Sequence, residues 1–274
     1  MGTMNESVIR EEWENATLAN NFIFYKVMRH HPEECKHLIE MLLKVKIESM
    51  EIHNEEVVSL DYDAKGIRMD VYIKENQRMY DIEIQVVNTK ELPERSRYYA
   101  ALMCLDTLKA GDKYKDLRDG HVIFICMEDI FGQGLPIYTF ENICLENKKT
   151  KLNDRDYKHF FIAPTCAKIA EDNEIKHFFD FLISNNANST YTSKLSEYVD
   201  DAKHNMQWRH EYMTYERIQA YAFDQGLEKG TQQKAIEDTI AFLKENIDPN
   251  IIAKCVKLPI EKVLELQKEI SVQA

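Results

Sequence analysis

Two carboxylates and an amide, spaced for one face of a β-hairpin, are the residues best suited to chemistry in this 274-residue chain. Residues 67–73 alternate apolar Ile67, Met69, Val71 and Ile73 with Arg68, Asp70 and Tyr72. Residues 80–86 alternate Tyr80, Ile82, Ile84 and Val86 with Asp81, Glu83 and Gln85. Side chains two apart share a strand face, so each run predicts a half-buried strand, with the polar residues 74–77 as the turn between them. A hairpin closing symmetrically about Asn76 and Gln77 sets Asp70 opposite Glu83, with β-carbons about 4.5–5.5 Å apart. Carboxylates that close repel unless a cation lies between them, and Mg2+ takes oxygen ligands of this kind. Such an ion would polarise a phosphodiester and lower the pKa of a bound water. Gln85, on the face of Glu83, is placed to hydrogen-bond the attacking water, although it is neither a cation nor an effective general base. The competing reading of the same alternation is an ordinary solvated strand face, where Asp, Glu and Gln are expected. Periodicity alone does not separate the two.

The elements that must hold these residues follow from the rest of the pattern. Residues 22–28 and 32–43 read as helices, the second with Cys35, Leu38, Ile39, Leu42 and Leu43 at three- and four-residue steps and Pro32 in its first turn. A short strand is expected at residues 57–60. Residues 93–109 predict a helix with Tyr98, Ala101, Leu102, Leu105 and Leu108 as its apolar stripe, and the continuous apolar run at 121–127 predicts a fully buried strand. Further strands are expected at 136–144 and 159–162, and helix over 177–184 and 193–225. Helix resumes at 231 with breaks at 248–249 and 258–259, and Gly226 and Gly230 bracket an expected hinge. This order predicts an α/β fold, with one domain over residues 1–190 and a helical C-terminal appendage over 191–274.

Composition narrows the partners. Hydrophobic residues make up 44% of the chain and aromatics 10%, enough for a sizeable core, and the low counts of glycine (8) and proline (6) favour long regular elements. The net charge of −12 counts against a large nonspecific nucleic-acid surface, because phosphate contacts need Lys and Arg. It leaves room for a local basic groove and asks a divalent cation to offset carboxylate and phosphate charge. Six cysteines stand singly with no CxxC pair, the pattern of reduced buried thiols. The nine histidines lack HxxxH or HExxH spacing, so no zinc site is expected. Residues 1–15 carry no apolar stretch of signal-peptide type, and there is no run of about 18 apolar residues. A cytoplasmic protein with no membrane span is expected.

Several ordered segments also carry a resemblance: NNFIFYKVM at 20–28, GIRMDVY at 66–72, YDIEIQ at 80–85, LPERSRYY at 92–99 and VIFIC at 122–126. Together, over about residues 18–165, they resemble the Rpn-like recombination-promoting nuclease and transposase group of the PD-(D/E)XK nuclease superfamily. The resemblance implies a restriction-endonuclease-like core, with a mixed central sheet flanked by helices, and a DNA endonuclease dependent on Mg2+ or another divalent cation. It also implies a link to recombination or mobile elements. By motif position, Asp70 is the metal-binding aspartate, Glu83 the second carboxylate, and Gln85 stands in the place of the lysine of the general nuclease pattern. The backbone carbonyl of Ile84 is implied as a further metal ligand. The chain departs from the pattern at Asn21, where the family commonly has Asp, and at Ile84, where it often has Met. The second swap is apolar for apolar; the first weakens metal binding if the family's aspartate assists it. Asn21 and the net charge favour the alternative, a nuclease fold whose cleavage is weak or lost and which acts as a DNA- or protein-binding module.

Arg95 and Arg97, on the helix after the hairpin, are phosphate-binding candidates, since the planar guanidinium fork matches phosphate oxygens. The competing reading is an arginine packed on, or paired with, a core carboxylate. Tyr99 reads as a core or hydrogen-bonding tyrosine, and Lys113 and Tyr114 are weaker candidates. Residues 249–270 outline a helix-turn-helix, with Ile251, Ile252 and Val256 before the Leu258–Pro259 turn and Val263, Leu264 and Leu266 after it. The second helix of such a motif enters a major groove, but here it carries three glutamates against two lysines. Packing, or a homo-oligomer through the C-terminal helices, is the expected role.

Overall fold

The computed structural model describes residues 6–53, 71–75 and 77–273. The strand expected at 57–60 lies outside them, as does Asp70. The chain divides into two compact units, Glu12–Arg209 and a second formed by Met1–Glu11 with His210–Ala274.

The larger unit is built on a mixed six-stranded sheet among the described residues: β1 (Glu51–His53), β2 (Val71–Lys74), β3 (Arg78–Gln85), β4 (Asp119–Cys126), β5 (Ile137–Phe140) and β6 (Asp156–Ile162), in the order β1-β2-β3-β4-β6-β5. The β1–β2, β2–β3 and β5–β6 pairs are antiparallel, whereas β3–β4 and β4–β6 are parallel. The β2–β3 hairpin has the register that closure about Asn76 and Gln77 predicts, with Val71 opposite Ile82, Tyr72 opposite Asp81, Ile73 opposite Tyr80 and Lys74 opposite Met79. A parallel neighbour requires a crossover rather than a tight turn, and α4 (Leu92–Thr107) supplies it between β3 and β4. The chain is therefore α/β, with the mixed sheet and flanking helices expected.

Helices cover both faces. α4 lies on the face carrying Tyr72, Met79, Val122, Phe124, Cys126, Phe160 and Ile162, and contributes Leu92, Tyr99, Ala100, Leu102 and Met103 to that core. α2 (Asn21–His30) packs on β2 and β3 from the opposite face, beside α3 (Pro32–Leu43) and α7 (Thr190–His204), and Phe161 of β6 stacks on Phe179 of α6 (Asn173–Ser184). A short α5 (Ala163–Ile169) joins β6 to α6. Capping follows local chemistry. Asn20 Oδ1 accepts from the backbone N–H groups of Phe22 and Ile23 at 3.0 and 3.2 Å, satisfying donors that the first turn of α2 leaves orphaned. Asp172 does the same for α6, and Pro32 opens α3.

Several expectations change. The solvated-face reading of β3 fails: Asp81 is 0% and Glu83 3% exposed, because β3 is a central strand with helices on both sides. On α4, Tyr98 and Leu105 are exposed, and the buried stripe runs through Leu92, Ser96, Tyr99, Ala100, Leu102 and Met103. That helix is apolar over much of its circumference, so the polar members of the true stripe shifted the apparent phase. Of the six cysteines, Cys35, Cys126 and Cys166 are buried, Cys104 and Cys144 half-buried and Cys255 exposed, all as free thiols. No hinge opens at Gly226 and Gly230; α8 runs unbroken over Met206–Lys244.

In the smaller unit, α9 (Pro249–Val256) and α10 (Ile260–Gln273) follow α8, with Asp248 capping α9. Leu243, Ile252, Val263 and Leu266 form its buried cluster, with Ile236, Val256, Leu258 and Ile270 packed around them. Ile251 and Leu264, placed by sequence in the two stripes, are exposed. Among the described residues no helix is long and apolar enough to cross a membrane.

Candidate active site

Odd-numbered side chains of β3 point to α4, so Asp81, Glu83 and Gln85 form one row under that helix. Arg95, one turn into α4, reaches back onto the row. Its guanidinium donates to Gln85 Oε1 at 2.6 Å, to Glu83 Oε2 at 3.3 Å and to the Tyr99 hydroxyl at 2.8 Å. Its Cζ lies 5.4 Å from the Tyr99 ring centroid and 5.6 Å from that of Phe124, within cation–π range. Phe124 in turn stacks on Tyr99 and Phe160. The Gln85 amide is engaged at both ends, since its Nε2 donates to the Val87 carbonyl. Further along the row, the Tyr72 hydroxyl donates to Asp106 Oδ2 at 2.9 Å, and Lys74 Nζ sits 2.5 Å from the same oxygen.

The electrostatics follow from this packing. Burial raises the Tyr99 phenol well above the ordinary tyrosine range, the negative charges of Glu83 and Asp81 push the same way, and Arg95 opposes them. Burial also lifts the Cys126 thiol, the β4 neighbour of Gln85, to about 12, so it is not a nucleophile at neutral pH. Glu83 is thus a sequestered carboxylate whose charge is compensated by a guanidinium.

A second polar cluster, centred on two buried histidines, lies on the opposite face. His121 Nδ1 and His159 Nε2 are hydrogen-bonded at 3.1 Å, and Thr139 Oγ1 lies 3.2 Å from His159 Nδ1. Tyr80 and Tyr157 flank the His121 ring in stacked geometry. Burial, with smaller contributions from His159 and Arg78, lowers His121 from 6.5 to about 3, and burial lowers His159 to about 4. Both imidazoles are neutral at physiological pH, one donating and the other accepting.

Among the described residues no group of three or more His, Cys, Asp or Glu side chains is arranged to hold a metal ion. The donors available at the end of β3 are the Glu83 carboxylate, the Gln85 amide oxygen and backbone carbonyls. These are hard oxygens that fit Mg2+ or Mn2+ and not the nitrogen–sulfur sites zinc prefers.

The residues proposed from sequence are distributed as follows. Glu83, Gln85 and Arg95 are brought together, and Asp70 lies outside the described residues. Arg97 is exposed, two positions and about 200° further around α4. Asn21 is exposed in the first turn of α2, while Asn20 performs the capping. Tyr114 is 85% exposed in the 3-10 turn Tyr114–Asp116. Sequence reasoning set Asp81 on the face of Glu83 and Gln85 but did not place Asp106 beside this row. The signal for Asp106 was its spacing, with Arg95, Ser96 and Tyr99, in step with Leu92 and Met103.

A mixed sheet covered by helices on both faces defines this domain as an α/β fold. The chain belongs to the PD-(D/E)XK nuclease family transposases, whose family model matches residues 22–199, well over half of the sequence. No curated protein and no solved structure matches the chain.

Proposed function

We propose that this protein is a divalent-metal-dependent DNA endonuclease. The observation that carries the reading is Glu83: a nearly fully buried carboxylate on a central strand, within the family-matched region, sharing its face with Gln85 and an arginine. Burying an ionised carboxylate is costly unless its charge is compensated, and a chain that needed only a packed strand gains nothing from an acid there. Glu83 is proposed as a metal ligand together with the Ile84 backbone carbonyl. Asp70, one residue before β2, joins them on the strength of its place in the sequence. A bound Mg2+ supplies charge neutralisation and Lewis-acid polarisation of the phosphodiester. Gln85 orients the water whose oxygen bonds to phosphorus as one ester P–O bond breaks, leaving an alcohol and a phosphate monoester. Arg95 holds a phosphate oxygen, and Arg97 contacts the backbone further out. Recombination or mobile-element DNA is the proposed context.

The nuclease-like role is assigned to residues 1–190 and the helical remainder to self-association. α8 exposes Ile218, Tyr221, Phe223 and Leu227 at 61–71% each, and apolar side chains so placed mark contact surfaces when they cluster. Light scattering on the full chain at micromolar concentration would give twice the monomer mass or more.

The test of the catalytic reading is plasmid cleavage with Mg2+, with EDTA, and by Asp70→Ala. Metal-dependent nicking that the variant lacks supports it. Equal cleavage by the variant, or none with Mg2+ or Mn2+, moves the assignment to a nuclease-fold binding module.

A further inference from the structure

Arg95 touches both functional acceptors at once. Glu83 Oε2 and Gln85 Oε1 lie 3.3 and 2.6 Å from its guanidinium nitrogens, and Tyr99 anchors it at 2.8 Å. The two ends of this contact differ in access: the Glu83 side chain is 4% exposed and that of Arg95 is 29% exposed. The carboxylate is locked in, while its cationic partner has a route toward solvent. The same guanidinium takes the amide oxygen that Gln85 would turn to a water.

We propose that Arg95 is an internal counter-cation that competes with a divalent metal for Glu83, so that metal binding and release of the guanidinium are one linked event. The inference rests on the reading of Glu83 as a metal ligand. A dication brought to this carboxylate faces a fixed positive charge a few ångströms away in a poorly solvated setting, where like charges repel strongly. Relief comes from swinging Arg95 outward along its exposed side. That movement frees Glu83 for the cation and Gln85 for water together, and it delivers the guanidinium to the side from which a phosphodiester must approach. Arg95 thereby acts as a positioning residue before substrate arrives and as a phosphate ligand afterwards. A merely supportive arginine, orienting Glu83 for the metal, makes the opposite prediction, because its loss weakens metal binding.

The experiment is calorimetric titration of Mn2+ into the full chain without DNA, comparing wild type, Arg95→Gln, Tyr99→Phe and Glu83→Gln, with a thermal melt of each. Competition predicts that Arg95→Gln binds Mn2+ about fivefold or more tightly, the size of an ordinary coupling between sites. Tyr99→Phe keeps the guanidinium but loses one of its anchors, and tightens binding by a smaller factor; it carries the test if Arg95→Gln does not fold. Glu83→Gln binds weakly or not at all. Unchanged or weaker binding by both Arg95→Gln and Tyr99→Phe, with Mn2+ still dependent on Glu83, overturns the competition and leaves the nuclease reading intact. No Mn2+ binding by any protein overturns both.

Discussion

On the α4 face of the sheet, Glu83, Gln85, Arg95 and Tyr99 form a charged network; on the opposite face, His121, His159 and Thr139 form a neutral one. Each is centred on buried groups, Glu83 in one and the two imidazoles in the other, and each is hydrogen-bonded across neighbouring elements. They differ in how charge is handled. The histidine cluster avoids it: desolvation holds both imidazoles neutral, and stacked tyrosines fill the space around them. The glutamate row instead sets against its carboxylate a cation with a path to solvent. A neutral row makes a good wall, whereas a charged row with an exchangeable partner is what a site for cations and phosphates needs.

Mutation can break this contrast at its floor. Phe124→Ala removes the ring on which Tyr99, Phe160 and Arg95 rest, and should cost about 3–5 kcal/mol of stability in denaturant unfolding. Glu83→Gln keeps the shape and removes the charge; plasmid cleavage should fall about a hundredfold or more, the loss of several kcal/mol of transition-state stabilisation, with the fold retained by circular dichroism. The histidine face should answer to acid. Both folded-state values lie below the unfolded 6.5, so the unfolded chain binds more protons between the two. Stability is complete above about pH 6.5 and declines as pH falls toward 4, by at most about 1.4 kcal/mol per pH unit for each imidazole. A melting series over that window should show a shallower decline in His121→Gln. Arg97→Ala, at an exposed position outside both networks, should shift stability by less than about 0.5 kcal/mol. A larger loss would place Arg97 in the packing.

Much of the frame was legible because it rests on local periodicity. The alternation in β2 and β3 specified the strands, closure about Asn76 and Gln77 specified the hairpin register from Val71 to Lys74, and the apolar run of β4 specified a strand covered on both sides. The burial of Glu83 was not legible. An alternating strand reads the same whether water or a helix covers its polar side, and only the long-range placement of α4 decides. The phase of α4 failed for a related reason. The face it turns to the sheet includes buried Ser96 and half-buried Arg95 and Asp106, polar residues there because the facing row of the sheet is polar too. Arg95 was foreseen with two roles in competition, and the contact with Glu83 is the core-carboxylate one; its phosphate role remains a proposal for a later step. In the tail, glycine spacing suggested a hinge, yet thirty-nine residues of helical sequence carried α8 through it.

That passage through Gly226 and Gly230 has a consequence for how α8 breathes. Each glycine in an exposed helix interior forfeits about 1 kcal/mol relative to alanine, and a β-carbon added at either meets nothing within 4 Å. The helix, about 58 Å long at 1.5 Å per residue, is therefore weakest near its middle rather than only at its ends. Amide hydrogens around residues 226–230 should exchange with solvent sooner than those a few turns away, and a protease should find its first cut there. Replacing both glycines with alanine should silence that spot by mending the helix from within.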